Sequence, residues 1–266
     1  MNFALTFLDI DPTLPSLWSH YLQQYLPHLR VPRHLYPQVL AASVTSPPPN
    51  LTFDCIVSPG NSFARMDGGL DLSISRLFAG SMTRSSGATS LTAVLKYVQK
   101  AHHERWKGLQ PVGSCYIIDM LPFLLSNDTV TDNYSRDSQP ETNAFGCRYI
   151  AHAPTMRVPS VLGRAEVVYD CMWAILNEIY NHNKAVDSAS SSCRETTEHT
   201  KIEKVVVSGL GTGTGELSRD MCAKLMVLAY VQFLDAVEKG EDCAGEWSWQ
   251  RAREWDRIIT NNVTQR

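Results

Sequence analysis

Short apolar segments alternate with longer amphipathic segments along most of this chain, and the alternation restricts the folds that the chain can adopt. Some segments have the length and composition of β-strands, namely residues 3–8, 36–43, 53–57, 113–120, 148–153 and 205–207. Helical spacing or helix start signals mark the segments between and after them, namely residues 12–26, 71–79, 91–107, 166–181 and 218–237. Strands that are joined by helices usually lie parallel in one sheet with helices on both faces. We therefore predict a three-layer α/β/α fold with a mixed, mainly parallel central sheet.

The chain has 266 residues, of which 44% are hydrophobic, so its apolar content suffices for one α/β domain with insertions. We predict flexible insertions near residues 126–143, which are rich in Ser, Asp, Asn and Thr, and near residues 184–200. Residues 246–262 contain several of the Trp residues and are predicted to form a C-terminal helical tail. Aromatic residues at such spacing usually pack inward, and a partner-binding patch is the alternative.

Charge and composition argue against several classes of partner. The net charge is −3 and no run of Lys or Arg stands out, so tight binding to nucleic acid is not expected. The longest apolar stretch, 225–237, is interrupted by Gln232 and Asp235 and is too short for a membrane span. The N-terminal residues do not have the pattern of a secretory signal. We expect an intracellular protein, cytoplasmic or nuclear, without a membrane partner.

The cysteines are interpreted as buried thiols and not as metal ligands. The chain has 7 Cys, and none forms a CxxC pair. His102, His103, Cys147 and His152 lack the spacing of a zinc site. The sequence therefore predicts no metal site and indicates no cofactor.

The segment 54–71 has the order of residues that an anion site requires. A buried strand leads to a polar turn with Asn61, the pair Gly68 and Gly69 follows, and Asp71 opens a helix. A helix N-terminus that is preceded by glycines presents backbone N–H groups and a positive dipole end to an anion.

A second glycine-rich segment follows the last strand. Ser208, Gly209, Leu210, Gly211, Thr212, Gly213, Thr214 and Gly215 precede a helix that Ser218 is expected to cap. Alternating glycines let a ligand approach the backbone closely, and a pyrophosphate fits such a nest of N–H groups. A flexible turn is the alternative interpretation. The dinucleotide fingerprint GxGxxG fails, because its third glycine would fall at Thr214 or Glu216, and no GxxxxGK[ST] motif occurs.

Both glycine loops follow strands, so in a mainly parallel sheet they can meet at the same edge. Together they resemble the signature of macro domains, which are ADP-ribose-binding modules. Ser58-Pro59-Gly60-Asn61 and Gly68-Gly69-Leu70-Asp71 resemble the first family motif, and Leu210-Gly211-Thr212-Gly213 resembles the second. The run 149–159 further resembles a divergent macro-like group from fungi and bacteria. This resemblance implies a macro-like fold.

The resemblance also implies roles for individual residues. It implies that Asn61 hydrogen-bonds the distal ribose of an ADP-ribose ligand and that Asp71 positions or deprotonates water. The implied ligand-binding residues are Ser43, Val44, Asn61, Ser62, Gly68, Gly69, Leu70 and the loop residues Ser208, Gly209, Leu210, Gly211, Thr212, Gly213, Thr214 and Gly215.

The adenine end of the site departs from the family pattern. Where the family places an adenine-binding Asp, this chain has Ser43, whose hydroxyl is a weaker acceptor than a carboxylate. Asp9 precedes Ile10 in a similar dipeptide, but it follows the first strand and not the expected one. The aromatic residue of the second loop is also replaced, and Phe63 or Phe145 is the candidate for stacking in its place.

Three functions remain open. The first is a hydrolase that acts on ADP-ribosylated protein or on an acyl or 1''-phosphate derivative of ADP-ribose, with Asp71 and Asn61 as catalytic residues. The second is an ADP-ribose reader without chemistry, and the third is an interaction protein that retains only the fold. Each residue also has a purely structural interpretation, namely Asp71 as a helix cap, Asn61 as a left-handed turn residue and His152 as a core histidine.

Overall fold

The computed structural model describes residues 1–29, 32, 35–46, 48–80, 87–126, 145–190, 200–239 and 248–264. The strands in these ranges are β1 (Ala4–Asp9), β2 (Gln38–Ala41), β3 (Cys55–Ser58), β4 (Tyr116–Asp119), β5 (Tyr149–His152) and β6 (Lys204–Val207). The helices are α1 (Thr13–Tyr25), α2 (Gly69–Ala79), α3 (Gly87–Trp106), α4 (Leu121–Ser126), α5 (Val167–Ser190), α6 (Arg219–Lys239) and α7 (Trp249–Thr264).

The strands form one 6-stranded sheet in the order β2-β1-β6-β3-β5-β4. All neighbours pair in parallel except β4, which is antiparallel to β5. The mixed, mainly parallel sheet that the sequence predicts is therefore confirmed. Five parallel strands point their carboxyl ends to one edge of the sheet, so the loops that follow them share that edge.

Helices cover both faces of the sheet, because each central strand is apolar on both sides. On one face, side chains of β1 and β6 such as Phe7 and Val207 pack with Trp18 of α1 and with residues of α5 and α6. On the other face, Leu8 and Val206 pack with α2 and α3. The alternation of neighbouring residues between two cores gives the three predicted layers.

The insertions and the tail differ in how much of them the structure describes. Helix α5 continues to Ser190, so residues 184–190, which the sequence assigns to an insertion, are helical. Residues 191–199 and most of the insertion at 126–143 lie outside the described residues, apart from Ser126, which ends α4. In the tail, Trp255 of α7 donates a hydrogen bond to the Tyr169 hydroxyl at 3.0 Å. None of the described helices combines the length and the apolar character that crossing a bilayer requires.

Candidate functional site

A cavity of about 700 Å³ lies at the edge of the sheet where the parallel strands end. Its walls come from the segments that follow β2, β1, β6, β3 and β5, which are neighbours in the sheet in that order. Neighbouring strands are about 4.8 Å apart, so five strand ends span roughly 19 Å. The cavity is therefore elongated across the sheet, and a long ligand would contact several loops at once.

The second glycine loop lies over the middle of this edge, after β6. Gly211 adopts a φ of 73°, in the left-handed region that favours glycine. A Cβ at Gly215 would lie 2.5 Å from the carbonyl oxygen of Gly211, so the loop closes on itself without room for a side chain. Within the described residues, the N–H groups of Gly213 and Thr214 have no hydrogen-bond acceptor in the protein. They are free to bind an anion in the cavity.

The first loop brings the N-terminus of α2 to the same cavity. Gly68 is the N-cap of α2, and no side chain hydrogen-bonds there. Gly69 adopts a φ of 55°, which turns the chain into the helix. The first N–H groups of a helix have no carbonyl partner inside it, and Gly69 and Leu70, which carry two of these groups, line the cavity. Two sets of backbone donors thus line one concavity.

Asn61 lines the cavity, and its side chain also organises its own loop. The Asn61 Oδ1 accepts hydrogen bonds from the backbone N–H of Phe63 at 3.1 Å and of Arg65 at 3.4 Å. Its Nδ2 donates to the carbonyl oxygen of Arg65 at 3.0 Å. An amide nitrogen has two protons, so one donor of Asn61 remains for a ligand.

Asp71 is the third residue of α2 and does not act as its cap. Its Oδ1 accepts a hydrogen bond from the Ser58 hydroxyl at 2.8 Å, and its side chain is buried at the cavity wall. Burial raises the pKa of Asp71 to about 7; the Ser58 hydrogen bond opposes this rise and the negative charge of Asp67 adds to it. A carboxyl group with a pKa near neutrality can both accept and donate a proton at physiological pH.

The structure brings most of the sequence-predicted site residues together at this cavity. Those that line it are Ser43, Val44, Asn61, Gly68, Gly69, Leu70, Asp71, Ser208, Gly209, Gly211, Thr212, Gly213, Thr214 and Gly215. Ser62 and Leu210 do not line it. Leu210 is buried in the core, and the backbone N–H of Ser62 donates to the Met156 carbonyl at 2.9 Å, which fixes the loop after β3 to the loop after β5.

Sequence reasoning missed residues at both ends of the cavity. Asp9 and Ile10 line it beside Ser43, because β1 lies between β2 and β6 in the sheet. The Asp9-Ile10 dipeptide resembles the family's adenine-binding motif, but it follows the first strand and not the one that carries this motif in the family. Thr155, Met156 and Pro159 line the opposite end and belong to the run 149–159, whose family resemblance was visible in the sequence.

Neither aromatic candidate for stacking reaches the cavity. Phe145 is stacked on Phe53 with ring centroids 5.5 Å apart, in the core under α2 and α3. Phe63 is 41% exposed and does not line the cavity. Among the residues that the structure describes, no three His, Cys, Asp or Glu side chains are grouped in a way that could hold a metal ion.

Comparison with known proteins finds similarity only among solved structures. No protein-family model matches the chain, and no curated protein sequence is significantly similar to it. The macrodomain of Mycobacterium tuberculosis DarG is 15% identical, covering 69% of this chain and 84% of that one, with a TM-score of 0.38. A Trypanosoma brucei macrodomain is 14% identical, covering 79% of this chain and 63% of that one, with a TM-score of 0.39. An Oceanobacillus iheyensis macrodomain variant is 13% identical, covering 80% and 89%, with a TM-score of 0.42.

All three structures are macrodomains, the family that the two glycine loops resemble. Similarities this low carry no argument about ligand or activity. Those questions depend on the residues of the cavity itself.

Proposed function

We propose that this chain binds ADP-ribose or an ADP-ribose derivative in the cavity and hydrolyses a linkage at the distal ribose. The observation that carries the proposal is the pair of backbone-donor loops that face one elongated cavity. Gly213 and Thr214 offer N–H groups from one side, and the N-terminus of α2 offers those of Gly69 and Leu70 from the other. A pyrophosphate between them would accept hydrogen bonds from both.

The two ends of the cavity suit the two ends of such a ligand. At one end, Ser43 and Asp9 supply oxygen acceptors, which an adenine amino group requires. At the other end, Asn61 and Asp71 lie near the place where a distal ribose would reach. The volume of about 700 Å³ falls within the usual range of small-molecule sites.

In the proposed reaction, Asp71 acts as the general base. A water oxygen forms a bond to the electrophilic atom of the linkage while one water proton passes to Asp71. The bond between that atom and the leaving group breaks, and the leaving group takes the proton from Asp71. The neighbouring N–H groups stabilise negative charge on the ligand throughout. The pKa of about 7 supports this role, because the carboxylate and the acid are both populated near neutral pH.

A non-catalytic reader is the second candidate, and the hydrogen bonds of Asn61 favour it. Three hydrogen bonds hold the Asn61 amide within its own loop, which is what a purely structural Asn would make. A reader would bind ADP-ribose and release it unchanged.

Calorimetry and turnover assays separate these functions. We expect micromolar binding of ADP-ribose and weaker binding of ADP, with hydrolysis of an ADP-ribosylated protein, an acyl derivative or a 1''-phosphate derivative. Asp71→Asn should keep binding and reduce turnover about 100-fold or more. Glu104→Gln, whose carboxylate is 67% exposed on α3 and does not line the cavity, is the matched control and should change turnover little. Binding without turnover of any substrate would support the reader, and no binding of any ADP-ribose compound would refute both functions.

A further inference from the structure

His152 has one ring nitrogen with a hydrogen-bond partner and one without. The residue ends β5 and is fully buried, and its Nδ1 lies 2.6 Å from Gln110 Oε1. Gln110 Nε2 donates to the His152 carbonyl oxygen at 3.1 Å and to the Ser114 hydroxyl at 3.2 Å. A carbonyl only accepts, so this contact fixes the amide orientation and leaves Gln110 Oε1, also only an acceptor, facing Nδ1. The proton of the neutral ring is therefore on Nδ1, and Nε2 carries a bare lone pair.

The bare Nε2 lies close to the carboxyl group of Asp71. Nε2 has no hydrogen-bond partner among the described residues. A Cβ at Gly60 would lie 2.7 Å from Nε2 and 2.7 Å from Asp71 Oδ2, so the two atoms are no more than twice that distance apart. The other carboxyl oxygen of Asp71 already accepts from Ser58. Nε2 is thus a buried acceptor without a partner, and Asp71 Oδ2 faces the same glycine.

A proton on Asp71 would give Nε2 a hydrogen-bond donor. When Asp71 is ionised it has no proton to donate, and Nε2 remains a buried acceptor without a partner, which is unfavourable. When Asp71 is protonated, its hydroxyl can donate to Nε2 across Gly60. This hydrogen bond would favour the protonated form of Asp71.

The imidazole of His152 stays neutral in this environment. Burial, with a smaller contribution from the charge of His102, lowers the pKa of His152 to about 3. The rings of His102 and Tyr116 surround it, with centroids 6.1 Å and 5.9 Å from that of His152. Burial also lowers the pKa of His102 and raises that of Tyr116, which favours the neutral form of both rings.

The charged side chains on the Asp71 side are Asp67 and Arg65. Asp67 carries a like charge, and Arg65 is ion-paired with it at the mouth of the cavity. That pair is exposed to solvent and therefore screened, so it offers Asp71 little stabilising positive charge.

We propose that His152 is a positioning residue for Asp71: Gln110 holds it in the tautomer with a bare Nε2, and this lone pair sets the pH at which Asp71 gives up its proton. This proposal rests on the proposed function, because the protonation of Asp71 affects catalysis only if Asp71 is the general base. Gly60 is required for this arrangement, because the side chain of any larger residue would push His152 and Asp71 apart. Asp71 is the base, His152 acts on it, and Gln110 orients His152, as in catalytic sites where a third group orients the base.

The first test is an NMR titration of the free wild-type protein, which needs no ligand and no turnover. We expect the Asp71 carboxyl carbon to titrate near neutral pH. The His152 Nε2 resonance should report an unprotonated nitrogen throughout and change with the same midpoint. A proton on Nε2, or an Asp71 midpoint near that of an ordinary carboxyl group, would overturn the proposal. Because turnover does not enter this measurement, its failure is distinguishable from failure of the proposed function.

The second test uses variants. Gln110→Leu removes the acceptor of the Nδ1 proton, so the tautomer with Nε2–H becomes available and donates to the Asp71 carboxylate. The Asp71 midpoint should then fall by about one pH unit or more. Tyr116→Phe alters the same ring cluster without touching the tautomer and should leave the midpoint unchanged. In an active protein, the acid limb of the pH profile of kcat/KM should move with Gln110→Leu and not with Tyr116→Phe. An unchanged midpoint in folded Gln110→Leu would contradict the proposal, and if that variant does not fold, the wild-type titration decides.

Discussion

Replacing Asp71 by Asn should stabilise the protein, and the gain should grow with pH. Burial raises the pKa of Asp71 from 3.8 to about 7, so the folded state holds a proton that the unfolded state has already released. The destabilisation is absent below pH 3.8, grows as pH rises, and is complete above about pH 7. A difference of about 3 pKa units corresponds to about 4 kcal/mol of unfolding free energy. Asn is nearly isosteric, keeps an oxygen for the Ser58 hydroxyl and carries no charge at any pH.

The assay is urea denaturation of wild type and Asp71→Asn at several pH values between 5 and 8. The difference in unfolding free energy should be about 1.5 kcal/mol at pH 5 and about 4 kcal/mol at pH 8. For a chain of this size that gain raises Tm by about 10 °C. Subtracting the wild-type value at each pH removes the contribution of every other titrating group. Glu104→Gln is the control, because its carboxylate is 67% exposed and does not contribute to the pKa shift of Asp71, so its difference should be small at every pH.

A difference that stays constant between pH 5 and pH 8 would refute the reasoning, since it would mean that Asp71 ionises at the same pH in both states. A stability gain on removal of a charged group also has a functional meaning. Residues that destabilise a fold persist where activity needs them. We therefore expect the variant that gains stability at pH 8 to lose turnover under the proposed function.

Further predictions concern the second loop and one ion pair. Gly215→Ala should lower the unfolding free energy by about 1 to 3 kcal/mol, because its Cβ would lie 2.5 Å from the backbone oxygen of Gly211. Gly213→Ala, with no atom within 4 Å of its Cβ, should change it by less than about 0.5 kcal/mol in the same denaturation assay. Arg148→Met should cost about 3 kcal/mol, because it removes the guanidinium that lies 2.5 Å from the Asp119 carboxylate, a side chain only 17% exposed. A loss below 1 kcal/mol would show that solvent reaches that pair.

Local sequence patterns were enough to predict the fold class. The run Val205–Val207 is a strand because a continuous apolar segment can be covered on both faces, and the structure places its residues in both cores. The spacing of Leu14, Trp18 and Leu22 marks one face of α1, and all three side chains are buried. The two glycine loops were located because glycine and a helix start signal are local features. That both follow parallel strands was sufficient to predict that they meet.

Other parts of the site depended on strand order and burial, which local patterns do not encode. Strand β1 lies between β2 and β6, and this position brings Asp9 and Ile10, which follow it, to the cavity. Ser62 and Leu210 belong to loops that border the cavity, but packing keeps both residues from lining it.

The sequence by itself determined that residues 58–71 and 208–215 form backbone-donor loops at one sheet edge, since glycine spacing and strand-to-helix order are local properties. Only the tertiary structure determined the pKa of the Asp71 carboxyl group. A carboxyl group at a helix start is usually ionised, because the dipole and water favour its charge. Here burial at the cavity wall raises its pKa to about 7, against the opposing effect of the hydrogen bond from Ser58. That value depends on groups far apart in the chain, so only their packing in three dimensions sets it.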